Sequence, residues 1–451
     1  MDKEYLIHEK PLKALIVFSL PMIIGNLFQQ FYTMVDSIVV GRCVSENALA
    51  AVGASYSVTN VFICVAIGGG VGASVIISRY FGAREYGKMK QASYTALLAF
   101  LVLGTVLGIV GLFCCKALMQ LLDTPANILD MTIVYLNIYF IGLPFLFMYN
   151  VISALFNAIG RSRVPLYLLI FSSMLNIFLD VYMVCSLHLG VAGVAWATLI
   201  AQGISAVISF VLLLRELHSY PSVKVEIFDG TELKNMARIA LPSILQQSTV
   251  SIGMMLVQSV VNSFGAEMLA GFSAAMRVES ICIVPMQAMG NAISAYTAQN
   301  IGAERKGRIV KGYHVSGWIV ALFAAIICIV LEIFNTSIIS MFLGDNSTHL
   351  ASQTGISYLR FMGWCYILIG LKMVTDGLLR GAGDMKMFTI ANLVNLVIRV
   401  TVAVTLAPSY GISMVWSAVP LGWFANLIIS YAEYCTGKWK HIADSEKQKT
   451  A

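Results

Sequence analysis

The chain is predicted to be an all-α integral membrane protein, with twelve transmembrane helices in two six-helix lobes related by a pseudo-two-fold axis along the membrane normal. Three observations predict this: a composition poor in charge, a ladder of apolar runs with alternating basic flanks, and an internal repeat. Of the 451 residues, 58% are hydrophobic and only 12% charged, against about 25% charged in a soluble domain. Lipid, rather than water, is the solvent such a chain is built for.

A bilayer core of about 30 Å takes about 20 apolar residues per helix. Runs of that kind fall near residues 13–40, 47–78, 89–115, 127–157, 164–187, 190–215, 236–264, 267–298, 308–334, 349–379, 385–407 and 410–435. The polar opening MDKEYLIHEKPLK leads into a stretch that reads as the first spanning helix rather than as a cleaved leader. Basic residues gather at one set of helix ends: Lys3, Lys10 and Lys13; Arg79, Arg84, Lys88 and Lys90; Arg161 and Arg163; Arg215, Lys224, Lys234 and Arg238; Arg305, Lys306, Arg308 and Lys311; Arg380 and Lys386; Lys438, Lys440, Lys447 and Lys449. The opposite ends carry only Arg42 and Lys116. Positive flanks mark the cytoplasmic side, so both termini are expected there and the number of spans is even. The net charge of +6 is accounted for by this topology, without nucleic acid.

The one sizeable polar connection, about Glu216 to Asn235, divides the chain. The expected organisation is an N-terminal lobe at 1–218, a cytoplasmic linker at 219–235, and a C-terminal lobe with a short tail at 236–451. The halves repeat at offsets of 220 or 221: Leu20-Pro21 as Leu241-Pro242, RYFGAREYGK at 79–88 as QNIGAERKGR at 299–308, and Gly190 with Trp196 as Gly411 with Trp416. Parallel repeats of this kind place a binding cavity between them.

The nine cysteines form no C-x-x-C pair, and Cys64, Cys114, Cys185, Cys282 and Cys328 lie in apolar runs, as buried reduced thiols would. Gly68, Gly69, Gly70 and Gly72 have no strand before them and read as a close helix contact. Pro21, Pro144, Pro242, Pro285 and Pro420 fall inside predicted helices and remove a backbone hydrogen bond in each. At Pro21 a static kink and a bend coupled to ion loading are both open readings.

Ionisable residues inside a membrane are costly and are functional candidates. Counting at 1.5 Å per residue from the outer loops places Asp36, Asp180, Thr198 and Tyr135 at one depth, about 10 Å below the outer surface. Asn176 precedes Asp180 by four residues and Tyr32 precedes Asp36 by four, so each shares its partner's face. The repeat puts Val257 and Ala418 opposite Asp36 and Thr198, so the layer belongs to the first half alone. Two carboxylates in a low-dielectric pocket suit a proton; the same oxygens with Asn176 and Thr198 suit a hard cation such as Na⁺. In the second half, Lys372 and Asp376 are spaced to form an ion pair. Arg277 and Glu279 point to different faces, and Glu279 is placed to meet Arg360 or Arg399.

The runs LPMIIGNLFQQFYTMVDSIVVG at 20–41, ALAAVGAS at 48–55, YFGARE at 80–85, NAIGRSRVP at 157–165, AQNIGAE at 298–304 and LLRGAGD at 378–384 occur in an order that resembles the multidrug and toxic compound extrusion (MATE) transporters, over nearly the whole chain. The resemblance implies a secondary active antiporter of the bacterial plasma membrane. It would export amphiphilic, cationic organic compounds in exchange for H⁺ or Na⁺ by alternating access. In the DinF-like branch, coupling uses a helix-1 Asp, a helix-5 Asn-x-x-x-Asp and a helix-6 Thr, matched by Asp36, Asn176, Asp180 and Thr198; these are also the metal ligands if the ion is Na⁺. Tyr32, Tyr135, Ser153, Gln29, Gln202, Glu279 and Arg399 are the candidate side chains of a substrate cavity. The NorM-like branch also uses acids in helices 7 and 10. Here helix 7 has Gln258, and the helix-10 acid would fall near Ile369, which disfavours a second-half coupling site. A lipid-linked precursor flippase of the same superfamily is the alternative, kept open by Arg277, Arg360 and Arg399. No H-E-x-x-H or G-x-S-x-G constellation suggests an enzyme. The expected partners are a small amphiphile and the bilayer, with the chain a monomer and no cofactor.

Overall fold

The computed structural model describes residues 4–221, 225–343, 348–440 and 442. All regular secondary structure among them is helical. Among the described residues, twelve helices are long and apolar enough to span a membrane: α1 Pro11–Gly41, α2 Glu46–Gly82, α3 Tyr86–Leu121, α4 Ala126–Ala158, α5 Arg163–Ser186, α6 Gly190–His218, α7 Gly230–Asn262, α8 Ala266–Gly302, α9 Lys306–Leu343, α10 His349–Ala382, α11 Met385–Tyr410 and α12 Ser413–Thr436. Hydrocarbon offers no partner to a backbone N–H or C=O, so each span must satisfy its own ladder as a helix. The 38 residues of α9 reach about 57 Å, well beyond a bilayer core. Its continuation past the expected end at 334 includes polar residues that bond back to their own turn, such as Ser340 Oγ to Ser337 O. Lys3, Lys224, Lys447, Lys449 and the side chain of Arg42 lie outside the described residues.

Two expectations need correction. Pro285 does not sit in a continuous helix: α8 is interrupted at Ile283, between Ala266–Cys282 and Val284–Gly302, and the proline begins the second segment, where its missing N–H costs nothing. Of the five cysteines expected to be buried, Cys114 is exposed and Cys185, Cys282 and Cys328 are half-buried, leaving only Cys64 buried. On a spanning helix, an exposed thiol faces lipid at little cost.

The chain divides into two compact units, one of residues 24–244 and one of 1–23 with 245–451. The boundaries therefore fall inside α1 and α7 rather than at the linker expected over 219–235. The reason lies in local hydrogen bonding. A short helix Tyr5–His8 precedes α1, and carbonyls that end it are collected by side chains of residues 300–308. Asn300 Nδ2 donates to Leu6 O (3.1 Å), Arg305 to Ile7 O (2.8 Å) and Arg308 to Glu9 O (2.6 Å). In the other unit, Lys90 is buried and donates to Tyr220 O and Pro221 O, and the Tyr80 hydroxyl donates to Glu232 at 2.6 Å, which holds the start of α7.

The repeat is preserved down to backbone torsions. Arg84 and Glu304 both take the left-handed region, at φ 58 and 57. Around each, the same three bonds close the helix: 83 N to 79 O, 84 N to 81 O and 85 N to 80 O, matched by 303 to 299, 304 to 301 and 305 to 300. A residue other than glycine is uncommon there, and the motif ties off the orphan carbonyls of α2 and of α8.

The glycine run does make the expected close approach. A Cβ on Gly68 would stand 2.6 Å from the backbone of Ile244, and one on Gly72 would stand 2.6 Å from Met236 O. Helix α7 therefore packs against bare backbone of α2. Gly72→Leu is expected to cost about 1–3 kcal/mol, read as a lower Tm in detergent, while Gly53→Ala, with nothing within 4 Å, leaves Tm unchanged.

Between α10 and α11, burial together with nearby Glu433 pushes the Asp384 carboxyl up to about 6. The fold thus favours its protonated form. That contribution is complete below the ordinary carboxylate range near 4 and is lost as pH rises through about 6. Asp384→Asn is expected to raise Tm relative to the parent at pH 8, with the difference vanishing near pH 4; a gain independent of pH would contradict this.

Candidate ion-coupling site

Near the ends of α1 and α5 that carry few basic residues, the unit 24–244 gathers polar groups from four helices. Asp36 and Tyr32 come from α1, Asn176 and Asp180 from α5, Thr198 from α6 and Tyr135 from α4. The carboxyls of Asp36 and Asp180 lie close enough to act on each other. With its nitrogen turned toward the acid, Asn176 donates to Asp180 Oδ2 at 3.0 Å and to the Tyr32 hydroxyl at 2.6 Å. Its amide also lies 3.4 Å from Thr198 Oγ1, which donates to Val194 O at 3.1 Å. Tyr32 in turn sits close to Thr198, Asp36, Asp180 and Tyr135. Asp180 and Asn176 are buried, and Asp36 is half-buried. Asp36 Oδ1 and Asp180 Oδ1 are buried and accept no hydrogen bond from the protein.

The surroundings are built for enclosure. Val40, Val184, Val191 and Val194 form a buried apolar cluster with Ala48. Val40 and Val184 lie one helical turn beyond Asp36 and Asp180, so this cluster closes the outer end of the site. On the inner side, a cavity of about 10 Å³ is lined by Tyr135, Tyr139, Gly142, Ala195, Thr198 and Gln202. That is room for about one water molecule.

Two features were missed by sequence reasoning. Directly after Asp180, α5 changes to a π-helical turn over Val181–Ser186, a distortion that re-aims the side chains before it and is frequent at functional sites. Nothing in the composition of VYMVCS signals it. The second is Tyr139, whose hydroxyl donates to Thr59 O at 3.2 Å; it follows Tyr135 by four residues, a spacing that places it on the same face.

The seven expected cavity residues separate between the units. Tyr32, Tyr135 and Gln202 belong to the acidic cluster and its cavity, Ser153 lies beside Tyr149, and Gln29 is exposed. Glu279 and Arg399 belong to the unit containing 245–451. There the Tyr358 hydroxyl donates to Glu279, and the Arg399 guanidinium is close enough to act on that carboxylate electrostatically. Arg360 does not meet Glu279: it pairs with Glu332 at 3.1 Å, and Arg277 is exposed.

Lys372 and Asp376 form a buried ion pair at 3.1 Å. Asn392 bridges them, accepting from Lys372 at 3.0 Å and donating to Asp376 at 3.3 Å, and Ser430 donates to the other Asp376 oxygen at 2.8 Å. These four side chains satisfy one another, as a buried charge pair requires. Ile369, where the NorM-like acid would fall, is a buried apolar residue.

Comparison with known proteins agrees with the architecture. The MatE family model matches residues 21–182 and 242–405, one segment in each half of the repeat, and the chain belongs to that family of multi-pass membrane transporters. It is 28% identical over 433 residues to the probable multidrug resistance protein YpnP of Bacillus subtilis, covering 95% of this chain and 96% of the relative. Among solved structures it superposes on a MOP superfamily transporter from Pyrococcus furiosus Vc1 with a TM-score of 0.90 at 25% identity, over 98% of each chain. It also matches the outward-facing conformation of a multidrug resistance MATE family transporter, with a TM-score of 0.89 at 25% identity over 100% of this chain and 99% of the other.

Lys372→Met is expected to cost about 3–5 kcal/mol by leaving Asp376 without its buried partner. The Lys372→Met/Asp376→Leu double substitution is expected to lose less than the sum of the single losses; additive changes in chemical denaturation would show that the two do not share a network.

Proposed function

We propose that this transporter is a secondary active antiporter, coupled through Asp36 and Asp180, that exports amphiphilic, cationic organic compounds. The observation that carries the proposal is the close approach of those two carboxyls from separate helices, each with a buried oxygen that accepts no hydrogen bond from the protein. Two carboxyl oxygens approach within hydrogen-bond range only with a positive partner between or beside them. A proton supplies it by sitting on one acid. A sodium ion would instead draw on the orphaned Oδ1 atoms of both acids, with Asn176 and Thr198 nearby.

Exchange follows from competition. While the acids are neutralised by the inward-moving ion, the pocket has no use for a second cation. Once the ion leaves, the uncompensated charge and the phenols of Tyr32 and Tyr135 favour an amphiphilic cation. The similarity to the probable multidrug resistance protein YpnP accords with this substrate class. The placement of the acids in the first half favours a DinF-like coupling scheme. The flippase alternative draws less support, because Arg360 is already engaged by Glu332.

Asp36→Asn and Asp180→Asn are each expected to abolish substrate counterflow from proteoliposomes under an imposed ΔpH or ΔNa⁺, with membrane insertion and elution volume unchanged. Full counterflow in either variant would sink the assignment, and the gradient that drives the parent protein identifies the ion.

A further inference from the structure

A second cavity in the unit 24–244 lies away from the acids. Its volume is about 380 Å³, within the range of organic-ligand sites. Helices α3, α4 and α6 line it with residues such as Tyr94, Leu101, Pro144, Val207 and Phe210, joined by Ile227 from the segment before α7. The Tyr94 hydroxyl is the only side-chain polar group in the lining. From Tyr94 to Leu101 the groove follows α3 for about 10 Å. It begins within a few turns of the helix ends where basic residues gather, and so occupies one leaflet's depth.

We propose that this groove holds an acyl chain of an anionic phospholipid from the leaflet at the basic end of the helices. The occupant follows from where the groove is. It is cut into spanning helices and opens sideways, where lipid tails are the surrounding medium. An apolar cavity offers water no partners and stays dry. Ile227, 70% exposed on a polar connection, marks the mouth. Its position is set by the neighbouring residue Asp229, whose N–H donates to Thr95 Oγ1 at 3.0 Å and whose carboxylate accepts from Gln91 at 3.3 Å. A chain lying in the groove covers this side chain. The headgroup follows from charge: exposed Arg215 comes next to the lining residue Leu214, and Arg84 lies in the turn before α3, with Lys88 nearby in an exposed ion pair with Glu85. Basic residues at a membrane surface attract anionic headgroups. A transported organic cation fits this lining poorly, because no acid faces it.

The test is native mass spectrometry of the purified full chain, titrated with phosphatidylglycerol and separately with phosphatidylcholine. The parent is expected to retain one phosphatidylglycerol more tightly than any further lipid. Val207→Gln, which sets an amide in the groove, and Ala206→Trp, which fills it, are expected to weaken that first binding at least tenfold. Val207 is 57% exposed, so its substitution leaves the packed core intact even if Ala206→Trp fails to fold. Val110→Gln, at a 51% exposed lipid-facing position outside the lining, is expected to change nothing. Equal loss in Val207→Gln and Val110→Gln, or retention of phosphatidylcholine as tight as phosphatidylglycerol, would overturn the proposal. So would a Val207→Gln protein with unaltered lipid binding and a raised KM for an exported cation, which would make the groove a substrate path.

Discussion

Like charges held side by side in a medium of low dielectric repel strongly, and no arrangement of neighbouring dipoles fully removes that cost. The Asp36–Asp180 contact is therefore the constraint around which the first unit is organised. It requires α1 and α5 to approach at one depth, Asn176 to turn its amide toward the acid, and an apolar lid of valines to keep the site enclosed. The π-helical turn after Asp180 sends Val184 into that buried valine cluster. Irregular backbone of this kind is tolerated at membrane depth only where it is buried in protein or lines a cavity.

The second unit solves the problem of intramembrane charge differently. Lys372, Asp376, Asn392 and Ser430 form a closed set in which every charge has a partner on a neighbouring helix. Glu279 is held by Tyr358 and lies near Arg399. A network of this type fixes helix register and resists rearrangement, since breaking it strands a charge in hydrocarbon. One unit thus keeps two acids together, whereas the other keeps its acids paired with cations or phenols.

Much of the architecture was legible in the sequence, because the rules of a bilayer are few. Apolar length gave the spans, the alternation of Lys and Arg gave their sense, and counting inward from the loops put Asp36, Asp180, Thr198 and Tyr135 on one level. That arithmetic works because a helix climbs a fixed distance per residue. What remained hidden depends on contacts between helices. The partners of Lys372 across to Asn392 and Ser430 follow from the register of α10 against α11 and α12, which no local pattern specifies. The break at Ile283 was misread because a proline inside an apolar run looks alike whether it kinks a helix or starts a new one. The division of α1 between two units was hidden for the same reason: the polar opening gives no sign that Asn300, Arg305 and Arg308 will hold it.

The left-handed residues Arg84 and Glu304 bear on ancestry. A duplicated gene drifts most freely where the backbone is indifferent to the side chain, and here it has drifted to side chains of opposite charge while the torsion stayed within a degree. The hairpin shape, rather than its chemistry, is what both copies inherited. With geometry held constant in this way, matching positions carry different chemistry on one scaffold: Asp36 and Thr198 in one copy, Val257 and Ala418 in the other.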